Sequence, residues 1–200
     1  FWRYPTIRDE SPFFYTMKIK NDLLEHDIDI EEVEKMVLSS VVPSLTPVFK
    51  EILPELFPAP IVVVGPTIYP FISLKIDNPN EIGSDLVANA VAANAIYKKD
   101  CIIVDFGTAL TFTTVSKKGE ILGVAIAPGL KTAIAALFSK TAQLPEVPLD
   151  LPALPVGKNT IHAIQSGILV GYVGLVTHML AEIRKEVGAQ YIAVATGGLS

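Results

Sequence analysis

The stretch CIIVDFGTALTFTTV, from Cys101 to Val115, decides the fold class. Residues 101–104 form a short continuous apolar run, which is typical of a strand buried on both faces. Phe106-Gly107-Thr108 makes a turn, and the Thr- and Val-rich residues 111–116 return as a second strand. Asp105 therefore stands at the end of a buried strand, where a carboxylate is costly unless positive charge or hydrogen bonds compensate it.

The residues of this turn permit two interpretations. Gly107 lets backbone approach a ligand closely, and Thr108 offers both a hydroxyl and an N–H group. Asp-x-Gly-Thr between β-branched strands is thus a candidate turn for a cation and a phosphate. An ordinary hairpin, in which Asp105 caps its own turn, is predicted equally well by the same residues.

Strands and helices alternate on both sides of this hairpin. Further strands are predicted at residues 36–42, 61–65, 121–127 and 191–196, and helices at 45–57, 86–97, 130–139 and 160–187. Ser44 is the expected N-cap of the helix over 45–57, and Asn159 or Thr160 that of the last helix. The proline-rich residues 141–158 predict an extended connector. This mixture indicates an α/β chain with a boundary near residue 98.

Composition excludes several classes of protein. Half of the 200 residues are hydrophobic and 18% are charged, which excludes a disordered or low-complexity chain. Sixteen Lys and Arg against 21 Asp and Glu give a net charge of −5, the wrong sign for a general nucleic-acid binder. The single cysteine, Cys101, excludes an intrachain disulfide and favours a reducing compartment.

A second candidate site is Gly83-Ser84-Asp85, at the start of an Ala-rich helix. Ser and Asp are common N-caps, so a purely structural role is favoured by these residues alone. The alternative is that Asp85 faces a cleft as a general base, or that the helix start receives an anion.

The last helix is unusually rich in glycine. Gly167, Gly171 and Gly174 are spaced by four and three residues, so they share one face. Because glycine inside a helix costs about 1 kcal/mol relative to alanine, a close helix contact is expected there. The contact is either within the subunit or at a homodimer interface. The apolar residues 163–180 favour a buried or interface helix over a membrane span.

A family resemblance is carried by motifs that run in order from about residue 36 to the end of the chain. They are Ser39-Ser40-Val41-Val42-Pro43; Asn78-Pro79 with Gly83-Ser84-Asp85; Val87–Ala93; Val104–Ala109 with Thr111; Ile126–Leu130; Gly157–Thr160 with Ala163–Gly167; and Thr196-Gly197-Gly198. Each is weak alone, but seven in order are hard to obtain by chance. On these motifs the chain resembles the type III pantothenate kinase family.

The resemblance implies an actin-like ATPase (ribonuclease H-like) fold with two related α/β halves. These would be residues 1–98, incomplete at their start, and 99–200, with a long dimer helix and a truncated end. It implies transfer of the ATP γ-phosphate to the primary hydroxyl of pantothenate, the first step towards coenzyme A. Mg²⁺ would accompany the nucleotide, with K⁺ or NH₄⁺ as a monovalent cation. The protein would be a cytoplasmic homodimer without nucleic-acid or membrane partners.

By the same resemblance Asp85 is the base near the attacking hydroxyl, and Asp105 holds the monovalent cation. Thr108 and Gly107 would contact ATP phosphate, and Gly197-Gly198 would lie near the adenosine. The pantothenate pocket would be lined by Ile76, Gly83, Ser84, Asp85, Leu86 and Thr160.

The sequence departs from the family pattern in three places. Leu86 stands where the family usually has Arg, and Ile76 where it often has Tyr. Arg can clamp a carboxylate with two hydrogen bonds, whereas Leu can make none. The family's first phosphate turn, Asp-x-Gly-Asn-Thr, is missing, and Phe1-Trp2-Arg3 resembles the segment directly after the hairpin that carries it. Two alternatives therefore stay open: a kinase of another hydroxyl substrate, and a non-catalytic regulatory homologue.

Overall fold

The computed structural model describes residues 2–139 and 147–199. The chain divides into two units, one of Phe1–Ser73 with Asp77–Ala88, the other of Leu74–Ile76 with Asn89–Ser200. The boundary predicted near residue 98 separates two halves that are related to each other. The division into these two units does not test that relationship, so the boundary stays a prediction. Residues 140–146, which include the first third of the predicted proline-rich connector at 141–158, lie outside the described residues.

The first unit is built on two parallel strands and two helices. Its elements are α1 (Pro12–Glu25), β1 (Met36–Ser39), α2 (Thr46–Leu56) and β2 (Ile61–Val64). In the register of the strands Met36 lies opposite Ile61. Tyr15, Leu45 and Ile52 form the buried cluster between the helices. Burial of this apolar surface, rather than helix propensity, is what stabilises such short elements.

The prediction that Ser44 caps α2 is wrong. The helix begins at Thr46 after Leu45, a residue whose side chain cannot accept a hydrogen bond. Thr46 Oγ1 instead donates to Ser40 Oγ at 2.8 Å, which ties the first turn to the segment after β1. This tertiary bond replaces the local cap that the sequence suggested.

The second unit contains a four-stranded mixed sheet, which confirms the α/β class. Its strands are β3 (Cys101–Phe106), β4 (Ala109–Val115), β5 (Ile121–Pro128) and β6 (Ile192–Thr196). Their order is β5-β4-β3-β6; β3 pairs antiparallel with β4 and parallel with β6. Helix α3 (Ser84–Tyr97) enters this unit at Asn89, and α4 (Leu130–Ser139) follows β5.

A long helical segment covers one face of the sheet. It consists of α5 (Thr160–Gln165), a π-helical stretch (Ser166–Val170) and α6 (Gly171–Val187). The predicted cap is confirmed, since Asn159 Oδ1 accepts the N–H of His162 at 2.9 Å. Leu175, Met179 and Ile183 of α6 pack against the buried core of β3 and β4.

By length and composition this segment could also cross a membrane. It has 28 residues and a mean hydropathy of 1.4, and 11% of the window is buried. A single helix of this kind is weak evidence, because helices of soluble proteins pass the same test.

Candidate active site

The turn between β3 and β4 is the feature around which the candidate site of the second unit is built. Phe106 pairs with Leu110, so Gly107 and Thr108 form the tip of a tight hairpin. The Gly107 N–H donates to the Ala109 carbonyl at 3.1 Å. The Thr108 residue is exposed at this tip, so its hydroxyl is accessible to a ligand.

Residues at the start of α4 hold this turn in position. The Gly129 N–H donates to the Thr108 carbonyl at 3.0 Å, and Thr132 Oγ1 donates to the same oxygen at 2.6 Å. A Cβ on Gly129 would lie 2.5 Å from Thr108 O and would also collide with Gly107 O. Only glycine permits this approach, so the position of the turn is fixed by the Pro128-Gly129 sequence.

Asp105 sits at the end of β3, half-buried beside the turn. Its Oδ2 accepts a hydrogen bond from Asn89 Nδ2 of α3 at 2.8 Å. Its strand neighbours in register are Thr111 on β4 and Thr196 on β6. Neighbours in register point to the same face of a sheet, so Asp105 lies in a row of oxygen-bearing side chains.

Gly197 closes the other side of the Asp105 carboxylate. It follows β6 with a φ of +99°, a conformation that favours glycine. A Cβ there would lie 2.5 Å from Asp105 Oδ1 and 2.7 Å from the Phe106 nitrogen. The structure therefore brings Asp105, Gly107 and Gly197 together, with Gly198 exposed directly after them.

The first unit carries the second candidate, around Asp85. Helix α3 begins at Ser84, so Asp85 is its second residue and does not hold the N-cap position. Asp85 is exposed, and its Oδ1 accepts the N–H of Leu86 at 2.9 Å. A side chain on Gly83 would overlap this same carboxylate oxygen. The carboxylate is thus held close to the backbone but open to solvent, as a general base requires.

The residues flanking Asp85 are engaged in the fold. Ser84 is buried, and its Oγ donates to the Ser40 carbonyl and accepts from Ser39 Oγ, both at 3.1 Å. Leu86 is also buried, with 7% of its surface exposed. Both side chains therefore stabilise the start of α3, and neither offers a free polar group to a ligand.

Tyr69 packs in the same unit as Asp85. Its Oη donates to the Ile82 carbonyl at 3.0 Å. Burial, and secondly the negative charge of Asp85, raise the pKa of the Tyr69 phenol above its usual 10.0. The phenol consequently stays protonated and keeps its bond to the loop that leads into α3.

Thr160 and Ile76 occupy separate places in the second unit. Thr160 lines an open cavity of about 580 Å³, together with Leu137, Gly157, Lys158, Asn159, Ala163, Ile164, Gly167 and Ile168. Ile76 is half-buried in a short segment at the edge of β5, where the Lys75 N–H donates to the Ile121 carbonyl at 2.8 Å.

Two polar side chains of the long helix bind the segment that leads to Gly157 in the lining of this cavity. Gln165 Nε2 donates to the Pro148 carbonyl at 3.0 Å, and Ser166 Oγ donates to the Pro155 carbonyl. A Cβ on Gly157 would collide with the backbone of Ala163, so this segment lies directly on α5. Lys158 is the only positively charged residue among the lining residues named above.

Sequence reasoning gave no role to Asn89 or Thr132, although both hold the turn region. Their partners are 16 and 24 residues away, so no local pattern reveals them. For Asn89, the only signal in the sequence was that its amide stands one helical turn after Asp85.

The chain is similar to known proteins in both sequence and structure. A family model described as type III pantothenate kinase matches residues 1–182. A type III pantothenate kinase of Dehalococcoides mccartyi (strain CBDB1) is 45% identical over 88% of this chain and 67% of its own length. One from Moorella thermoacetica is 39% identical over 100% of this chain and 78% of its own length.

Among solved structures, a Campylobacter jejuni protein assigned to the Baf family of transcriptional activators superposes with a TM-score of 0.55. The two are 18% identical, over 90% of this chain and 73% of that one, so this likeness shows a shared fold alone. The sequence matches define the class as a phosphotransferase. The chain belongs to the type III pantothenate kinase family.

Proposed function

We propose that this protein transfers the γ-phosphate of ATP to the primary hydroxyl of pantothenate, giving 4′-phosphopantothenate for coenzyme A synthesis. The observation that carries the proposal is the family match over residues 1–182. The relatives reported above are named as this kinase, which favours it over a regulatory homologue or a kinase of another substrate.

The hairpin turn of the second unit is proposed as the nucleotide side, on an actin-like ATPase fold. Gly107 and the exposed Thr108 would contact ATP phosphate, and Gly197 and Gly198 would lie near the adenosine. Phosphoryl transfer depends mainly on positioning and charge neutralisation, so a turn fixed by several backbone contacts suits this role. Mg²⁺ would arrive with the nucleotide.

Asp105 is proposed to hold a monovalent cation, K⁺ or NH₄⁺. Oxygen donors suit such a hard ion, and the half-buried carboxylate lies in a row of threonines beside glycine backbone. When bound, the cation would neutralise negative charge near the phosphates. Asp105 keeps one oxygen, Oδ1, beside the Gly197 backbone, while Asn89 engages the other.

Asp85 is proposed as the base that accepts the proton of the attacking hydroxyl. Its exposed carboxylate is held by the Leu86 N–H and packs over Gly83. In a loose transition state a base also acts by orienting the nucleophile, so Asp85 would serve both purposes.

The acceptor side would include Ile76, Thr160 and the start of α3. Because the Leu86 side chain is buried, Gly83, Ser84 and Leu86 can reach a substrate chiefly through their backbone. The cavity at Thr160 offers an apolar lining with Lys158, Asn159 and Thr160 as polar groups, which fits a small acid with an apolar body.

The glycine face of the long helix is proposed as a homodimer interface, in a cytoplasmic protein. A Cβ at Gly167, Gly171 or Gly174 would meet no atom of the described residues within 4 Å. Among the described residues, these glycines therefore do not accommodate a close helix contact within the subunit. Val170 and Val173, 41% and 61% exposed, extend the same apolar surface.

The deciding experiment is an assay of the full-length protein with ATP, with and without pantothenate, in K⁺ and then in Na⁺. We expect pantothenate-dependent formation of phosphopantothenate in K⁺ that collapses in Asp85→Asn. ATP binding without phosphopantothenate would overturn the acceptor and favour another hydroxyl substrate or a regulatory role.

A further inference from the structure

One buried hydroxyl beside Asp105 lacks a hydrogen-bond partner in the described part of the chain. Thr111 is 8% exposed, and its Oγ1 is fully buried and unpaired. A buried polar atom without a partner is costly, so most such atoms in native proteins are satisfied by protein, water or an ion. The unpaired Thr111 hydroxyl is therefore a position where a bound water or ion is expected.

The register of the sheet places this hydroxyl next to the Asp105 carboxylate. Thr111 and Asp105 are directly paired across β4 and β3. Paired residues point to one face, with their Cβ atoms about 4.5–5.5 Å apart, a distance that one ion can bridge. The opposite face of these strands is the apolar core with Val104 and Phe112, so the two oxygen-bearing side chains lie apart from it.

Thr111 differs from the neighbouring threonine on the same face of β4. Thr113 is the next residue on the same face and is more deeply buried, at 1% exposure. Its hydroxyl is not among the unpaired buried atoms. Among the β4 threonines, Thr111 is thus the one that combines a buried, unpaired hydroxyl with direct pairing to Asp105.

We propose that Thr111 Oγ1 is a ligand of the cation held by Asp105, and that Asn89 is a positioning residue for the Asp105 carboxylate. The inference rests on the cation role of Asp105 given under Proposed function. Asn89 Nδ2 bonds Asp105 Oδ2, which fixes the rotation of the carboxylate and leaves Oδ1 for the ion. Carboxylate and hydroxyl oxygens together match a hard cation.

The test measures cation binding directly, by the thermal stability of full-length protein titrated with KCl against choline chloride at constant ionic strength. A ligand that binds only the folded state adds RT ln(1 + [L]/Kd) to its stability, so a fit of the melting temperature against K⁺ concentration gives an apparent Kd, here called the K⁺ midpoint. In Thr111→Val, which keeps the shape of the side chain, we expect the K⁺ midpoint to rise about tenfold or more. In choline the variant should be at least as stable as wild type, because the unpaired hydroxyl is gone.

Two matched variants separate a cation effect from general damage. Thr113→Val makes the same change on the same face of β4 and should keep the wild-type K⁺ midpoint. Asn89→Ala should weaken K⁺ binding by about 10- to 100-fold, as loss of a supporting partner does in metal sites. Asn94→Ala, on the same helix, loses its own bond to the Lys117 carbonyl but should keep the K⁺ midpoint.

A wild-type K⁺ midpoint in Thr111→Val would overturn the role of Thr111 as a cation ligand. A wild-type K⁺ midpoint in Asn89→Ala would overturn the role of Asn89 in positioning Asp105. No K⁺ response in the wild type, or an unchanged response in Asp105→Asn, would overturn the cation site and this inference with it. Phosphopantothenate formation by the same wild-type preparation reports on the kinase function separately, so the two failures are distinguishable.

Discussion

Gly129→Ala is the substitution whose effect can be derived most directly from the structure. The added methyl group would lie 2.5 Å from Thr108 O and 2.8 Å from Thr108 C, well inside van der Waals contact. These neighbours are backbone atoms of a tight turn, so they cannot rotate away. Either the turn or the start of α4 must move by about 1 Å, since ordinary carbon contacts are about 3.5–4.0 Å.

The cost has a structural and a functional part. Overpacking against rigid neighbours typically destabilises by about 1–3 kcal/mol. The shift also stretches the bonds from the Gly129 N–H and Thr132 Oγ1 to the Thr108 carbonyl, now 3.0 and 2.6 Å. If Thr108 contacts ATP phosphate, a displacement near 1 Å lowers kcat/KM for ATP by about 100-fold.

The measurements are urea unfolding for stability and steady-state kinetics with ATP varied. Gly123→Ala is the matched control, because Gly123 lies on β5, the strand that ends directly before Gly129, and a Cβ there would meet nothing within 4 Å. We expect the control to change stability by about 1 kcal/mol at most, in the stabilising direction. Equal behaviour of Gly129→Ala and Gly123→Ala would refute the claim that backbone contact with α4 positions the turn.

Three further predictions test other parts of the molecule. Asp85→Asn should lower kcat by about 100-fold or more with little change in the KM for ATP, and unchanged turnover would exclude Asp85 as the base. Tyr69→Phe should cost about 1–3 kcal/mol at neutral pH, because the Ile82 carbonyl loses its donor. The raised pKa of Tyr69 means that its contribution is complete below pH 10.0 and falls above it, where the unfolded chain ionises first. Urea unfolding of Tyr69→Phe should therefore show a shallower loss of stability at alkaline pH, and an identical slope would contradict this. Gly174→Leu should yield a monomer in light scattering after size-exclusion chromatography, whereas an unchanged mass would exclude this face as the interface.

The elements that the sequence predicted best are those with strong local signals. The hydrophobic run at residues 101–104 and the Gly-Thr turn predicted the central hairpin, and Asn159 predicted the start of α5. Helix α1 was not predicted, although Ser11-Pro12 is a helix-start signal: Ser11 Oγ accepts the Phe14 N–H at 3.2 Å. The false cap at Ser44 arose because the bond from Thr46 to Ser40 crosses between segments.

Roles in the site were harder to predict than its location. The sequence places Asp105 at the end of a strand, but only the fold shows that α3 supplies Asn89 to its carboxylate and that Gly197, directly after β6, lies against it. Ser84 illustrates the opposite case. It was expected in the substrate pocket, but its hydroxyl is hydrogen-bonded to Ser39 and Ser40. A motif specifies residue types, whereas the availability of a polar group depends on partners far away in the sequence.

The burial of Leu86 changes how the acceptor would be recognised. An Arg at this position could pair with a carboxylate, but the Leu86 side chain lies in the core of the first unit and has no donor. If the cavity at Thr160 receives the acceptor, as proposed above, Lys158 is a positive group in its lining that could pair with the acceptor carboxylate. Recognition by one flexible ammonium is less directional than a bidentate guanidinium. Such a site would therefore discriminate acceptors more by the shape of the apolar cavity than by the geometry of their carboxylate.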